Sequence, residues 1–313
     1  MSDVTRRASL LAGLLLSSVI TSGRVVAGAD GPQADVPRGR AFWDTLKSRK
    51  FDLPSDVSAK AVLDDVDALL ASPDPVLRDA LGYETAAALI YRERRLSHDE
   101  LWATTERWMG NLRKGAGERG TDGVLLRSFS ALCLSIVAAA DNRASTLSPA
   151  EHGALTDAAL QYLQAEKDLR GYDDDRGWLH ATAHTADLLK FLARSPHFGP
   201  ARHRALLDAI TARLTSAGEI FTHGEQARLA AAVASLVART DLDTAVLDAW
   251  LEARAVQATA MWKTMPRIDH ATFVVVQNHK QLLEALVVAL AGEPATPEKE
   301  AARRRVVATL AKM

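Results

Sequence analysis

The residues with the most chemical potential lie in one short segment of the chain, residues 172–187. His180 and His184 are four positions apart, and Asp187 follows three positions later. A helix turns by about 100° per residue, so it would place these three side chains in one narrow stripe. Histidine and aspartate both ligate metals and carry protons. The spacing therefore predicts a metal-binding or catalytic stripe on one helix face.

The metal interpretation rests on the two histidines, because positions i and i+4 match the geometry of zinc-binding helices. Further ligands must come from elsewhere, and the candidates by residue type are His223 and Glu225, or His270 and His279. The expected ion is divalent zinc, iron or manganese, which would activate a bound water for hydrolysis. Glu225 or Asp175 would then serve as the general base. The glutamate that follows the first histidine in the metalloprotease signature is absent.

The alternative is a structural role, in which both histidines donate hydrogen bonds to carbonyl groups or to Asp187. A helical wheel of residues 178–194 places the stripe at the seam between an apolar arc and an arc of small or polar side chains. Polar groups at such a seam are half desolvated and still reachable by a ligand. In a core, each group left without a partner would cost about 1–3 kcal/mol. The sequence leaves both interpretations open.

A loop with three consecutive aspartates, residues 171–177, precedes these histidines. Consecutive carboxylates point in different directions and lack the spacing of a calcium loop. The pattern instead indicates that Asp175 caps the helix and that the other two aspartates are solvated. Tyr172 and Trp178 flank the loop and either form the lip of a binding site or pack at a helical junction. The candidate ligand-binding residues are Tyr172, Trp178, His180, His184 and Asp187.

The rest of the chain has a helical pattern from end to end. Alanine and leucine dominate, and the period-two alternation of strands is nearly absent. Capping boxes predict helix starts at Ser97 and Ser148, and Thr296 opens the last helix in a similar way. Helix pairs begin at intervals of roughly 40–50 residues, which is close to the period of two-helix repeats. We predict an all-α fold, an α/α superhelix of stacked antiparallel helical hairpins, as a HEAT-like solenoid or an α/α toroid; a large irregular bundle is the alternative.

The N-terminus has the composition of an export signal. Arg6 and Arg7 precede an apolar run that is too short to cross a ~30 Å hydrocarbon core, and residues 27–29 form a small-x-small cleavage site. The pattern predicts a signal peptide over residues 1–29 and one all-helical domain over residues 30–313. The arginine pair also fits a twin-arginine signal without its usual aromatic, so both export routes stay open. The mature protein is expected to be soluble, and periplasmic or secreted.

Composition narrows the classes of partner. The formal net charge of −1 gives no electrostatic basis for binding nucleic acid. Cys133, the single cysteine, excludes an intramolecular disulfide, and its apolar surroundings predict a buried, inert thiol. No second apolar segment is expected to cross a membrane. The expected partner is an envelope protein or a small-molecule ligand, and the expected function is a binding or scaffold role; the alternative is a metal-dependent hydrolase that uses His180, His184 and Asp187.

Three blocks of the sequence resemble a known bacterial family. They are Ser72–Asp79, Arg127–Ser130 and Gly177–Leu189, of which the third is the most specific. Together they resemble the domain of unknown function 2785, over about residues 60–290. Leu179 stands where the resemblance predicts alanine, which leaves the polar stripe unchanged. The resemblance implies an all-helical fold and no particular activity, because none is established for the family.

Overall fold

The computed structural model describes residues 36–292 and 294–313. These residues form twelve helices and one pair of two-residue strands. The mostly helical fold that the sequence predicts is thereby confirmed. The predicted signal peptide and its cleavage site lie outside the described residues.

The first three helices lie between residues 39 and 92. They are α1 (Gly39–Ser48), α2 (Ala59–Leu70) and α3, which runs without a break through the π-helical segment Val76–Tyr83, the α-helical turn Glu84–Ala86 and the π-helical segment Ala87–Arg92. The following elements are α4 (His98–Asn111), α5 (Gly123–Ala144), α6 (Pro149–Ala165), β1 (Tyr172–Asp173), β2 (Gly177–Trp178), α7 (Ala181–Leu192), α8 (Pro200–Thr215), α9 (Glu225–Val237), α10 (Thr244–Trp262), α11 (His270–Leu290) and α12 (Pro297–Leu310).

The helix starts follow from local chemistry. Ser97 and Ser148 each accept the backbone N–H of the glutamate three residues later, and that glutamate bonds back to the serine N–H. The Thr296 hydroxyl accepts the N–H of Lys299 in the same manner. These side chains pair the backbone donors that a helix leaves free at its first turn. All three predicted starts are confirmed.

Alternate helices pack against one another along the second half of the chain. Helix α5 packs against α7, α7 against α9, and α9 against α11; α6, α8, α10 and α12 form a second succession. Their buried side chains join one hydrophobic core that runs from Trp43 in α1 to Val306 in α12. Cys133 lies in that core on α5, and burial raises the pKa of its thiol well above the usual value. The prediction of a buried thiol is confirmed.

Helix α5 contradicts the expectation that no segment after the N-terminal run could cross a membrane. By length and composition this helix is long and apolar enough to do so. In the structure, 83% of its most apolar window is buried. The helix packs against α4 and α7.

Candidate functional site

The candidate residues lie where a short β-hairpin meets the start of α7. Strands β1 and β2 are antiparallel, with Tyr172 opposite Trp178 and Asp173 opposite Gly177. Helix α7 begins only at Ala181, so His180 belongs to the turn that precedes it. The φ angle of His180 is 52°, in the left-handed region. That conformation costs a residue with a Cβ about 1–2 kcal/mol and is concentrated at functional sites.

The acidic loop is the turn of this hairpin, and the expectation that Asp175 caps a helix is wrong. The Asp173 carboxylate accepts the backbone N–H groups of Asp175 and Arg176, at 3.0 and 2.8 Å. These bonds fold the chain back on itself before any helix begins, because an aspartate side chain can replace a backbone acceptor in a turn. The bond from the Arg176 N–H is the main reason that the pKa of Asp173 is lowered.

A buried arginine from α3 anchors the turn of the hairpin. The Arg78 guanidinium is fully buried and donates to the carbonyl oxygen of Arg176 at 2.7 Å and to that of Ser72 at 3.1 Å. Its charge is paired with Asp79 at 2.8 Å, and it lies 4.6 Å above the ring of Phe129. Since bonds from a charged donor to buried acceptors are among the stronger hydrogen bonds, Arg78 fixes the position of the turn.

Tyr172 and Trp178 form an exposed pair on the hairpin, which we call the aromatic lip. Their rings meet edge to face with centroids 4.9 Å apart. The two residues remain 47% and 44% exposed. An edge-to-face pair is a favourable arrangement of two rings, so each ring restricts the movement of the other.

Below the aromatic lip, a series of rings leads from the surface into the core. Trp178 stacks on the imidazole of His180 at 4.6 Å, and His180 meets His184 edge to face at 5.7 Å. His184 in turn meets Phe129 at 4.8 Å. Both histidines are 8% exposed, whereas Phe129 is fully buried. The ring series therefore consists of Tyr172, Trp178, His180, His184 and Phe129.

Two further candidates from the sequence, His223 and Glu225, also reach this site. His223 packs so closely on Gly171 that a Cβ on Gly171 would lie 2.4–2.5 Å from atoms of the imidazole. Its ring lies 6.5 Å from that of Trp178. The Glu225 carboxylate accepts the backbone N–H of His223 at 2.9 Å and lies 3.8 Å from His180 Nε2. Position 171 therefore requires glycine, because the His223 side chain, in the loop that precedes α9, packs against it.

The other two candidate ligands, His270 and His279, lie on α11. His270 is exposed at the first residue of that helix, and His279 is buried and donates its Nδ1–H to the Val275 carbonyl one turn earlier. Within residues 36–292 and 294–313, no contact joins either of them to His180 or His184.

A serine on α5 determines which nitrogen of His184 carries the proton. The Ser128 hydroxyl has one hydrogen and donates it to the carbonyl of Leu179, which can only accept. Ser128 Oγ must therefore accept the hydrogen of His184 Nδ1, 2.8 Å away. Burial holds the pKa of His184 well below its usual value, and His180, Arg228 and Arg78 lower it further. His184 is thus neutral, with a lone pair on Nε2.

His180 is held in the opposite tautomer. Its Nε2 lies 2.8 Å from the carbonyl oxygen of His223, so this nitrogen donates and Nδ1 carries the lone pair. Burial lowers the pKa of His180 despite the opposing effect of Glu225. The two neutral imidazoles therefore offer hydrogen-bond acceptors, and neither offers a free N–H.

Asp187 has a different environment from the two histidines. It is 4% exposed, and its carboxylate accepts hydrogen bonds from Lys190 Nζ at 2.9 Å and from Arg228 Nη1 at 2.5 Å.

The seam predicted for α7 is wrong, because Ala183 and Ala186 on the supposedly outer arc are fully buried. The reason is that α5, α6 and α9 all pack on α7. Among the residues that the structure describes, no group of three or more histidine, cysteine, aspartate or glutamate side chains is placed to hold a metal ion.

Arg78 and Ser128 are site residues that were not predicted from the sequence, although a signal for both was present. Each lies in one of the blocks that carry the family resemblance, Ser72–Asp79 and Arg127–Ser130. In the structure both blocks contact the third one: Ser128 bonds to Leu179 and His184, and a Cβ on Gly177 would lie 3.3 Å from Pro75. The three blocks thus meet at one site.

The fold and the site define a mostly helical protein with an aromatic–histidine site at the start of a buried helix. A model of the family described as protein of unknown function DUF2785 matches residues 112–288, more than half of the chain. The chain belongs to this family, which confirms the resemblance. The matched residues include Ser128, His180, His184 and Glu225. Neither the curated proteins nor the solved structures include a match to the chain.

Proposed function

We propose that this protein has a binding role and that its ligand or partner binds at the aromatic lip. The observation that carries the proposal is the exposure of Tyr172 and Trp178, at 47% and 44%, on a hairpin that buried bonds hold in place. Tyrosine and tryptophan supply large contact areas at little conformational cost, and they are enriched at binding surfaces.

The way the hairpin is anchored supports this role. Two-residue strands have little stability of their own. This hairpin depends on Arg78 under its turn and on the bond from the Leu179 N–H to the Gly171 carbonyl at 2.9 Å. Because the exposed rings are already fixed before binding, less conformational entropy is lost when a ligand binds to them.

We further propose that the helices stack as antiparallel hairpins into an α/α superhelix, a HEAT-like solenoid. The two successions of alternate helices, α5–α7–α9–α11 and α6–α8–α10–α12, support this arrangement. Stacked hairpins offer an extended concave surface to a partner. Small-angle scattering tests the proposal, because a compact chain of this length has a radius of gyration of about 19 Å. A solenoid gives a clearly larger value, whereas about 19 Å would indicate a closed toroid or a bundle.

An exported protein would meet its partner in the cell envelope or outside the cell. The partner is accordingly an envelope protein or a small molecule, and the proposal involves no nucleic acid. The test uses immobilised wild-type protein, a Tyr172→Ala/Trp178→Ala double variant and a Trp262→Ala control. Trp262 is 43% exposed, like the aromatic lip, but lies at the end of α10.

Each protein is incubated with envelope extract, and the captured proteins and small molecules are identified by mass spectrometry. A compound or protein retained by the wild type and the control but lost by the double variant supports the proposal. The same bound set on all three proteins, with melting temperatures alike, overturns it.

A second candidate function is a metal-dependent hydrolase with His180, His184 and Asp187 as ligands. The observation that favours it is the pair of fixed tautomers, since metal-ligating histidines commonly give their other N–H to a protein acceptor. Zinc, iron or manganese bound there would lower the pKa of a bound water toward ~7.

Elemental analysis of untagged protein tests the metal. Near-stoichiometric metal in the wild type and in a His270→Ala control, lost in a His180→Ala/His184→Ala variant, supports the hydrolase. Metal-free wild type whose melting temperature is unchanged by divalent ions rejects it.

A further inference from the structure

We infer that the ligand of the aromatic lip is a neutral, hydroxylated ring compound of the class of sugars, and that His184 Nε2 accepts a hydrogen bond from one of its hydroxyl groups. The inference rests on the proposed binding function and adds the chemical class of the ligand. It follows from the acceptors that the site presents, from the charges around them and from the shape of the aromatic lip.

His184 Nε2 and His180 Nδ1 carry lone pairs, because the other nitrogen of each ring gives its hydrogen to Ser128 or to the His223 carbonyl. Among the described residues, neither lone pair has a hydrogen-bond partner. The ligand must therefore bring donors.

The two histidines that carry these acceptors are not completely closed off from solvent, since each is 8% exposed. Among the described residues, the histidine nitrogens that are both unpaired and closed off from solvent belong to His152 and His279. A polar atom that is mostly buried, unpaired and still reachable gains the most from a ligand hydroxyl, because leaving it unpaired is costly.

The charges around the two histidines also limit the ligand. The two guanidinium groups that act on His184 already have partners: Arg78 is paired with Asp79 at 2.8 Å, and Arg228 with Asp187 at 2.5 Å. A charged ligand would therefore find no unpaired counter-charge in either guanidinium group and would be costly to desolvate here. A hydroxyl brings a donor without a charge, so this environment favours a neutral ligand.

The shape of the site also limits the ligand. The aromatic lip offers flat apolar rings, while His180 and His184 lie one and two rings further along the ring series, over centroid spacings of 4.6 and 5.7 Å. A ligand that uses both must have an apolar ring face and a hydroxyl at a distance of up to ~10 Å. Linked sugar units have both features, and their C–H faces pack on indole and phenol rings by dispersion and apolar burial.

Nuclear magnetic resonance of the full chain, labelled with ¹⁵N in tryptophan and histidine, tests the inference. The probes are cellobiose, maltose and N,N′-diacetylchitobiose, with tetrahydropyran as a ring without hydroxyl groups and choline as a cation. At least one disaccharide should move the Trp178 indole resonance and shift His184 Nε2 toward a hydrogen-bonded value. His184→Leu should weaken that binding about tenfold, the effect of one hydrogen bond. His203→Leu, at a buried histidine on α8, should leave it unchanged.

Two results overturn the inference. One is binding of choline or tetrahydropyran at Trp178 as tight as that of every disaccharide, which rejects the sugar class but leaves the binding role intact. The other is a Trp178 resonance that no disaccharide moves. The wild-type histidine shifts decide the role of His184 even if His184→Leu does not fold. The proposed function itself is judged separately, by the capture experiment with the lip variants.

Discussion

Ser128 on α5 accepts the Nδ1–H of His184 on α7 at 2.8 Å and so sets the tautomer of that histidine. The same hydroxyl donates to the Leu179 carbonyl, just before the left-handed turn at His180. One side chain therefore fixes both the backbone that enters α7 and the lone pair that the site presents. The residues come from two sequence blocks about 50 positions apart.

Replacing Ser128 with alanine is expected to destabilise the protein by about 2–6 kcal/mol. The change leaves two buried groups without partners, the Leu179 carbonyl and the His184 Nδ1–H, at roughly 1–3 kcal/mol each. Urea unfolding measures the loss. The control is Ser135→Ala on the same helix, where the hydroxyl only supplements the Leu132 carbonyl of its own turn. Equal losses at both serines would contradict the relationship described here.

Adding one methyl group at Gly171 is expected to disturb the aromatic lip. The new Cβ would lie 2.4–2.5 Å from the His223 imidazole, so His223 must move, at a cost of about 1–3 kcal/mol. Since the His223 ring also meets Trp178, the fluorescence of Trp178 should change as well.

Gly110→Ala serves as the control for this substitution. Nothing lies within 4 Å of the added Cβ there, and alanine in helix α4 should stabilise by up to about 1 kcal/mol. A Gly171→Ala protein as stable as the wild type, with unchanged fluorescence, would mean that His223 is not held against the hairpin.

Acidification is expected to destabilise the fold through its buried histidines. Burial lowers the pKa of His279 from 6.5 to about 4. The unfolded chain therefore binds a proton between pH 6.5 and 4 that the folded chain does not, and the free energy of unfolding falls as the pH falls through this window. Protonation of His279 in the unfolded chain lowers the free energy of unfolding by up to about 3 kcal/mol once the pH has fallen to the folded-state pKa. His152, His180, His184 and His203 have pKa shifts in the same direction.

His279→Gln tests this linkage, because it removes one titrating group. Urea unfolding from pH 7 to 4 should show a smaller loss of stability in the variant than in the wild type. The slope of the free energy of unfolding against pH should be lower by the equivalent of about one bound proton. His270→Gln, at an exposed position on the same helix, should keep the wild-type slope. A His279→Gln profile parallel to the wild type would refute the assignment.

The mature protein is expected to begin near Asp30. Export signals end after small-x-small sequences, and residues 27–29 are Ala-Gly-Ala. Intact-mass analysis of protein recovered from the periplasm or the medium measures the N-terminus. A recovered mass that still includes residues 1–29 would show that the segment is not a cleaved signal.

Local chemistry in the sequence determined where the helices begin and which class of fold they build. Ser97 and Ser148 bond to glutamates only three residues away, so their capping is encoded within one turn. The apolar surroundings of Cys133 likewise predicted its burial. Residue type and spacing also predicted four candidate ligands that the structure places together: His180, His184, His223 and Glu225.

The tertiary structure alone decided how that site is built. The turn that Asp173 forms becomes a hairpin anchored to the core because Arg78, nearly a hundred residues earlier in the chain, donates to the Arg176 carbonyl. His180 takes a left-handed conformation that is uncommon for any residue with a Cβ, and the surrounding bonds compensate for its cost. Periodicity could not reveal that α7 is buried on every side, because alanines on the outer arc suit a close helix contact as well as a surface. Those features depend on contacts between distant residues, whose energies no local window of sequence contains.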